Sequence, residues 1–275
     1  MNRARNRAGR IRVAVACLSA ALSLQASLFA ADPPANARKI MEDVDRADTS
    51  HDLTMNANFQ IHDAQGHSTK KDFTYRKLGP PGDSKVLVVF TAPKEIHGVA
   101  LLSINQRGAP TRQWMYIPAT QRVRSVAAQE RSARFIGTDF TFEDIGERVL
   151  DDFTYRLLGD TETMEGHKTY KIEATPVDAS HSQYKYVYYW VAQDAPVILF
   201  AEMYDAQGQK VRVMHATDIK REKGVWGARN TEMATVRDGT RTVLHIDEVK
   251  FNTNPDEKLF SPEGLAAASE SAHGK

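Results

Sequence analysis

Three groups of side chains in this sequence have types and spacings that could do chemistry. Asp139, Glu143 and Asp144 form an acidic cluster set among aromatic residues. Two carboxyl groups can act as general acid and base when a pocket drives their pKa values apart. The same residues suit the start of a helix, since Thr141 and Asp144 have the spacing of a cap pair and carboxylates favour a helix N-terminus. Capping or loop pinning is therefore the expected role. Ser182-Gln183-Tyr184-Lys185 matches the serine–x–x–lysine pattern of serine acyl-enzymes. That chemistry needs serine and lysine one turn apart on a helix, whereas here they open a strand pattern and the companion motifs are absent. His62 and His67 flank a turn, and two histidines without a third ligand make a weak metal site. No HExxH, paired CxxC, GxSxG elbow or phosphate-binding glycine loop occurs. The expectation is a protein that is not an enzyme and needs no metal or cofactor.

The elements that would carry these residues are mostly strands. Asn36–Asp48 reads as a helix: Ala37, Ile40, Met41, Val44 and Ala47 fall at helical spacing behind Asn36 as N-cap. From Thr54 the period switches to two, with Met55, Ala57, Phe59 and Ile61 on one face. The turn Asp63-Ala64-Gln65-Gly66 then leads to a strand with Phe73 and Tyr75. A second unit repeats this arrangement, with Asp205-Ala206-Gln207-Gly208 between strands carrying Leu199 and Met203 and then Val211 and Val213. Further strands are expected at 85–90, 98–105, 112–117, 122–126, 170–174, 184–191, 227–236 and 242–251. Their connections are short and rich in turn residues, with no alternating long helices, which excludes a doubly wound α/β fold. One meandering antiparallel sheet curled around helices fits best, with a frayed tail after Leu265. Tyr184, Tyr186, Tyr188 and Trp190 alternate with Lys185, Val187, Tyr189 and Val191, so both faces of that strand are largely apolar. Either helices cover the second face or a cavity lies there.

The first residues carry Arg3, Arg5, Arg7, Arg10 and Arg12 and no acid, and Val13–Ala31 is apolar apart from Ser19, Ser23, Gln25 and Ser27. This is the pattern of a secretory leader cut near Ala30 or Ala31, with a retained anchor as the alternative. Cys17 is the sole cysteine. Lipidation there is not expected, because Ala14 is a poor lipobox match and cutting would leave a long apolar stretch on the mature chain. The expected organisation is a signal peptide over 1–31 and one domain over 32–275. Losing five arginines takes the net charge from +1 to about −4, which does not suggest a nucleic-acid partner. The mature part has no cysteine, so its stability must come from a core, which about 244 residues are enough to build.

Between Trp114 and Asp144 the chain reads Trp114-Met115-Tyr116-Ile117-Pro118, then Arg122-Val123-Arg124, then Phe135-Ile136-Gly137-Thr138-Asp139-Phe140-Thr141-Phe142-Glu143-Asp144. This block resembles the outer-membrane lipoprotein-sorting-like proteins of Gram-negative bacteria, relatives of the carrier LolA and its receptor LolB. Phe90-Thr91-Ala92-Pro93, Glu202-Met203-Tyr204-Asp205 and Leu259-Phe260-Ser261-Pro262 extend the resemblance over nearly the whole mature chain. It implies a mainly β fold: an incomplete, curved antiparallel β-barrel closed by α-helices, hollow enough for acyl chains. It also implies a periplasmic, monomeric protein that carries a lipid or acylated protein, touches the membrane transiently and works with an inner-membrane exporter of the resistance–nodulation–division class. The ligand-binding residues expected on this basis are Trp114, Tyr116, Phe135, Phe140, Phe142, Tyr186, Tyr188, Trp190 and Met203. Arg122 and Arg124 would meet a phosphate or carboxylate headgroup at the rim, or else form a solvated strand face. A non-carrier sensor or adaptor with the same fold is the alternative.

Overall fold

The computed structural model describes residues 36–271; the expected leader, its cleavage site and Cys17 lie outside them. The first element is α1 (Ala37–Arg46), where Asn36 caps the start by accepting from the Arg38 and Lys39 amides at 3.0 and 3.4 Å. The chain then forms β1 (Asp52–His62), β2 (Ser68–Leu78), β3 (Lys85–Ala92), β4 (Ala100–Gln106), β5 (Ala109–Ile117) and β6 (Arg122–Ser125), with β3 a continuous apolar run buried on both faces. A non-strand connection containing the one-turn helix α2 (Phe142–Ile145) follows. The chain then forms β7 (Phe153–Gly159), β8 (Thr163–Met164), β9 (His167–Pro176), β10 (Tyr186–Ala192), β11 (Ile198–Tyr204), β12 (Lys210–Glu222), β13 (Val225–Thr235) and β14 (Thr240–Phe251), and ends in α3 (Leu265–Glu270).

These strands make one open antiparallel sheet. It runs from β6 through β5, β4, β3, β2 and β1 to β14, then back through β13, β12, β11, β10 and β9 to β7, with β8 pairing beside β9. Nearly every neighbour in space is a neighbour in sequence; the long-range exception is β1 on β14, where Leu53 meets Phe251 and Ile61 meets Thr242. The two Asp-Ala-Gln-Gly turns are built alike. Asp63 Oδ1 accepts from the amides of Gln65 and His67 at 2.9 Å, and Asp205 Oδ1 accepts from those of Gln207 and Gln209 at 3.0 and 2.8 Å. Gly66 and Gly208 take φ of 89° and 74°, which glycine adopts without strain.

The β6–β7 connection bends the sheet around itself. Lys71 of β2 donates to the Ile136 carbonyl (2.5 Å), Gln113 of β5 to the Phe142 carbonyl (2.8 Å) and Arg212 of β12 to the Asp139 carbonyl (3.2 Å). Strands from both halves reach the same short segment, so the sheet must curl over it. Phe135, Phe140 and Phe142 fill the concave side against Phe59, Phe73 and Phe90, with ring centroids 4.6–5.8 Å apart along the chain of contacts from Phe73 to Phe142. Such pairs add about 0.5–1.5 kcal/mol each beyond the area they bury. Ile136 sits at φ 46°, ψ 40°, a left-handed conformation that β-branched residues avoid, so the surrounding contacts over-determine this turn.

The helices do not all lie on the concave side. α1 packs Ala37 and Met41 against Ile172 and Val191, with Tyr189 and Ile198 partly buried beside them. α3 lies on the other face, where Leu265 and Ala268 cover Leu87, Val89, Ala100, Leu102 and Tyr116. The chain after Leu265, expected to fray, is thus a docked helix as far as residue 270. Its small residues are what let the helix approach the sheet closely, and Ala268 and Ser269 are buried. The turn that leads into α3 depends on Gly264, where an added Cβ would lie 2.0 Å from the Lys258 carbonyl oxygen and 3.0 Å from the Leu259 Cα. Gly264→Ala should lower stability by about 1–3 kcal/mol and expose the C-terminus to protease. Thermal melting and limited proteolysis check this, and an unchanged melting temperature with intact resistance would refute it.

Candidate functional site

A cavity of about 500 Å³ opens between the β10–β13 half of the sheet, the start of β5 and the β6–β7 connection. Its depth is apolar. Val187 and Tyr189 of β10, Ile198 and Met203 of β11, Met214 of β12 and Met233 of β13 line it, with Phe140 and Phe142 of the connection. The register explains why these residues meet: Val187 pairs with Met203, and Ala201, Met214, Met233 and Thr242 form one row across β11–β14. Methionine is flexible and polarisable, so three of them make a wall that adapts to a chain. The rim is wetter, with Asp151, Asp178 and His181 exposed and Val177 showing 66 % of its surface.

Polar residues hold the connection that forms the cavity wall. Asp139 is fully buried and accepts from Thr235 Oγ1 at 2.6 Å, Thr242 Oγ1 at 2.8 Å and the Thr240 hydroxyl, with Arg134 at 3.2 Å. Thr141 and Asp144 form the expected capping box, the Thr141 amide donating to Asp144 Oδ2 at 2.8 Å. Asp144 Oδ1 also accepts from the Tyr184 hydroxyl at 2.8 Å. Glu143 accepts from the Ser182 hydroxyl and from the Gln183 amide at 2.9 Å. Ser182, the serine of the acyl-enzyme pattern, therefore ties a loop before β10. His67, the second turn histidine, meets Asp63 at 2.8 Å. Arg148 donates to the Tyr155 hydroxyl at 2.8 Å and to Asp45 of α1.

Burial pushes the Glu143 carboxyl above its usual range, and the Asp144 charge adds to the rise against the bonds from Ser182 and Gln183. Burial raises Glu147 in the same way. A carboxyl with a raised folded-state pKa binds its proton more readily in the folded chain than in the unfolded one. Its stabilising contribution is fully present below the unfolded value of 4.5 and is lost as pH rises through the folded value. Glu143→Gln keeps one acceptor oxygen for the Gln183 amide, presents its NH2 to the Ser182 hydroxyl, which can turn to accept, and cannot titrate. Its unfolding free energy should fall less than that of the wild type between pH 4.5 and neutrality. Denaturant titrations across that range check this, and parallel pH profiles would refute it.

The expected ligand-binding residues divide between the two faces of the sheet. Phe140, Phe142 and Met203 line the cavity. Phe135 is in the same concave core but is packed among the other phenylalanines rather than bordering the space. Trp114 and Tyr116 point to the opposite face, beneath α3, because Gln113 and Met115 take the concave positions of β5. Tyr186, Tyr188 and Trp190 also face outward. Tyr186 stacks on Tyr204 at 4.7 Å, the Trp190 indole donates to Glu162 at 2.6 Å, and Lys171 lies 4.4 Å from the Trp190 ring. Arg122 and Arg124 are exposed on the edge strand β6, outside the cavity lining, and Arg124 pairs with Glu130 at 2.8 Å. Alternation places residues on a common face without saying which face is concave. The residues that sequence reading missed are Val187, Tyr189, Ile198, Met214, Met233 and the polar Gln113, Glu147 and Arg148. The apolar alternate face of the 184–191 strand was the signal for Val187 and Tyr189, and the recurrence of methionine on successive strands was the signal for Met214 and Met233.

Known proteins fit this architecture. A family model described as that of an uncharacterized protein matches residues 82–267. No curated protein matches the chain. Among solved structures, a putative outer membrane lipoprotein-sorting protein domain from Vibrio parahaemolyticus superposes with a TM-score of 0.79 at 24% identity, covering 84% of this chain and 98% of that one. A DUF1329 family protein from Desulfovibrio piger gives 0.79 and 24%, covering 83% and 97%. A LolA superfamily protein from Nitrosomonas europaea gives 0.67 and 20%, covering 82% and 98%. The chain belongs to the family whose model it matches, and its open, curved antiparallel sheet has the fold of the lipoprotein-sorting domain and of the LolA superfamily protein.

Proposed function

We propose that this protein binds a lipid or the acyl chain of a lipidated protein in the β10–β13 cavity and carries it between membranes of the envelope. The observation that carries this reading is the apolar depth of the cavity beneath a polar rim. Its volume falls within the roughly 300–1,000 Å³ of ligand pockets generally. Each methylene moved from water into such a space contributes about 0.8 kcal/mol, so a chain can be held without directional bonds. The structure named as a putative outer membrane lipoprotein-sorting protein domain lends support through its fold. Acid–base catalysis has no part in this reading, since Asp139 is enclosed by threonines and Glu143 is tied to Ser182 and Gln183.

The arginine-rich leader points to export, so the carrier would work as a monomer in the periplasm, meeting the membrane transiently and exchanging cargo with an inner-membrane exporter. Among the described residues no helix is long and apolar enough to cross a membrane. Organic extraction and mass spectrometry of protein isolated from its native compartment should recover a lipid or acyl species at a stoichiometric level. Recovery of none, together with no binding of an apolar fluorophore, would sink the proposal. A sensor or adaptor is the second reading, favoured by the half-buried Tyr186, Tyr188 and Tyr204 cluster on the outer face. It requires copurification with a membrane protein and no lipid.

A further inference from the structure

The inner face of the sheet opens a second time, where β13 and β14 part. Their register runs from Thr235 on Thr240 to Asn230 on His245 and goes no further, although β13 begins at Val225 and β14 continues to Phe251. A bulge at Asp247, which the β1–β14 register passes over, bends β14 at the same point. Where the ladder would have continued, Arg229 Nη1 reaches the Ile246 carbonyl at 3.5 Å. The cleft between the parted strands measures about 180 Å³. Leu53 and Met55 of β1, Ile246, Val249 and Phe251 of β14, and Val225 of β13 line it. All six are half-buried, so part of their apolar surface is open. Gly227 adds no side chain to this wall, and a Cβ placed there would meet no atom within 4 Å.

The cleft continues the main cavity. Along β13 the inward positions Met233 and Thr231 border the main cavity, and the next ones, Arg229, Gly227 and Val225, border the cleft. Arg229 stands between the two spaces with its guanidinium held by Glu222 and the Ile246 carbonyl, so its aliphatic stem carries the apolar wall onward. Met233 to Gly227 is six residues of strand, about 20 Å, the reach of a long acyl chain. Every charged side chain lining the cleft is already paired: Asp48 with Lys77, Glu222 with Arg229, and Lys220 with Asp218 at 3.0 Å. A charged end would find no free counter-charge there, whereas a hydrocarbon end needs none.

We infer that this cleft receives the far end of a chain whose nearer part lies in the main cavity, and that the cargo is a long-chain lipid or long acyl group. This rests on the lipid-binding reading above and adds to it a second seat and a preference for chain length. A chain that stops at Thr231 gains from the main cavity alone. One that passes Arg229 buries further methylenes in the cleft, each raising affinity about fourfold.

Calorimetric titration of the purified protein with alkylphosphocholines of ten, twelve, fourteen and sixteen carbons, each below its micelle concentration, tests this. Wild-type affinity should rise through the whole series. Gly227→Phe places a ring in the open space without a clash and fills the cleft. It should leave the ten-carbon probe within about twofold of wild type and weaken the sixteen-carbon probe at least about tenfold. Val225→Trp, which reaches the same space from the neighbouring inward position, repeats the comparison should Gly227→Phe fail to fold. A wild-type affinity that stops rising at twelve carbons would overturn the seat. So would a folded variant that matches the wild type at every length, or that loses equally at every length. Each of these results leaves the carrier reading standing, while binding of none of the four probes would overturn both.

Discussion

Asp139→Ala is expected to lower the unfolding free energy by about 3–5 kcal/mol, because it takes the acceptor from three hydroxyls in a buried site at about 1–3 kcal/mol for each one left unsatisfied. The carboxylate is fully buried, and its acceptors satisfy hydroxyls of Thr235, Thr240 and Thr242 from β13 and β14. Alanine would leave these three hydroxyls around a void. Arg134 would fare better, since it keeps Asp238 at 2.8 Å and is a third exposed, so the loss comes chiefly from the threonines. Asp139→Asn, which retains one acceptor, should cost about half as much. The connection carrying Asp139 also supplies Phe140 and Phe142 to the cavity wall, so apolar probe binding should weaken along with stability. Equilibrium denaturant unfolding measures the effect. A loss below about 1 kcal/mol would mean that the buried acid is replaceable and the sheet holds the connection by other contacts.

Met214→Trp should reduce affinity for an apolar probe at least about tenfold while changing stability by less than about 1 kcal/mol. Met214 is half-buried, lies between Ala201 and Met233 in the cross-strand row, and borders the open space. An indole there would extend into volume that a ligand needs and not into close-packed core, so the usual penalty for overpacking is small. Tyr188→Ala, on the opposite face of the same sheet, should leave probe affinity within about twofold. Fluorophore titrations on the two variants, paired with unfolding curves, separate the faces. If Tyr188→Ala abolished binding and Met214→Trp did not, the ligand seat would be the outer tyrosine cluster and not the cavity.

Local chemistry was legible in the sequence. The helix behind Asn36, the paired Asp-Ala-Gln-Gly hairpins, the strands of the meander and the Thr141–Asp144 cap all depend on residues a few positions apart, and all are present. The antiparallel class followed from the short turn-rich links, because consecutive strands pair through nearly the whole sheet. β7 escaped detection even though its burial alternates. Its inward residues are Phe153, Tyr155 and Leu157, but Leu158 on the exposed face, next to Leu157, blurs the pattern.

What the sequence by itself determined, then, was which residues form strands and which of them share a face. Which face is concave was decided only when β1 met β14 and the β6–β7 connection drew both halves of the sheet around Phe135–Phe142. Strand period has no sign: Tyr186, Tyr188 and Trp190 are as apolar as Val187 and Tyr189, and alternation cannot tell inside from outside when both faces are covered. The same closure set Gln113 beside the cavity with one oxygen unpaired, and put the small residues of α3 over Tyr116. Those placements depend on contacts between positions far apart in the chain, which no local pattern records.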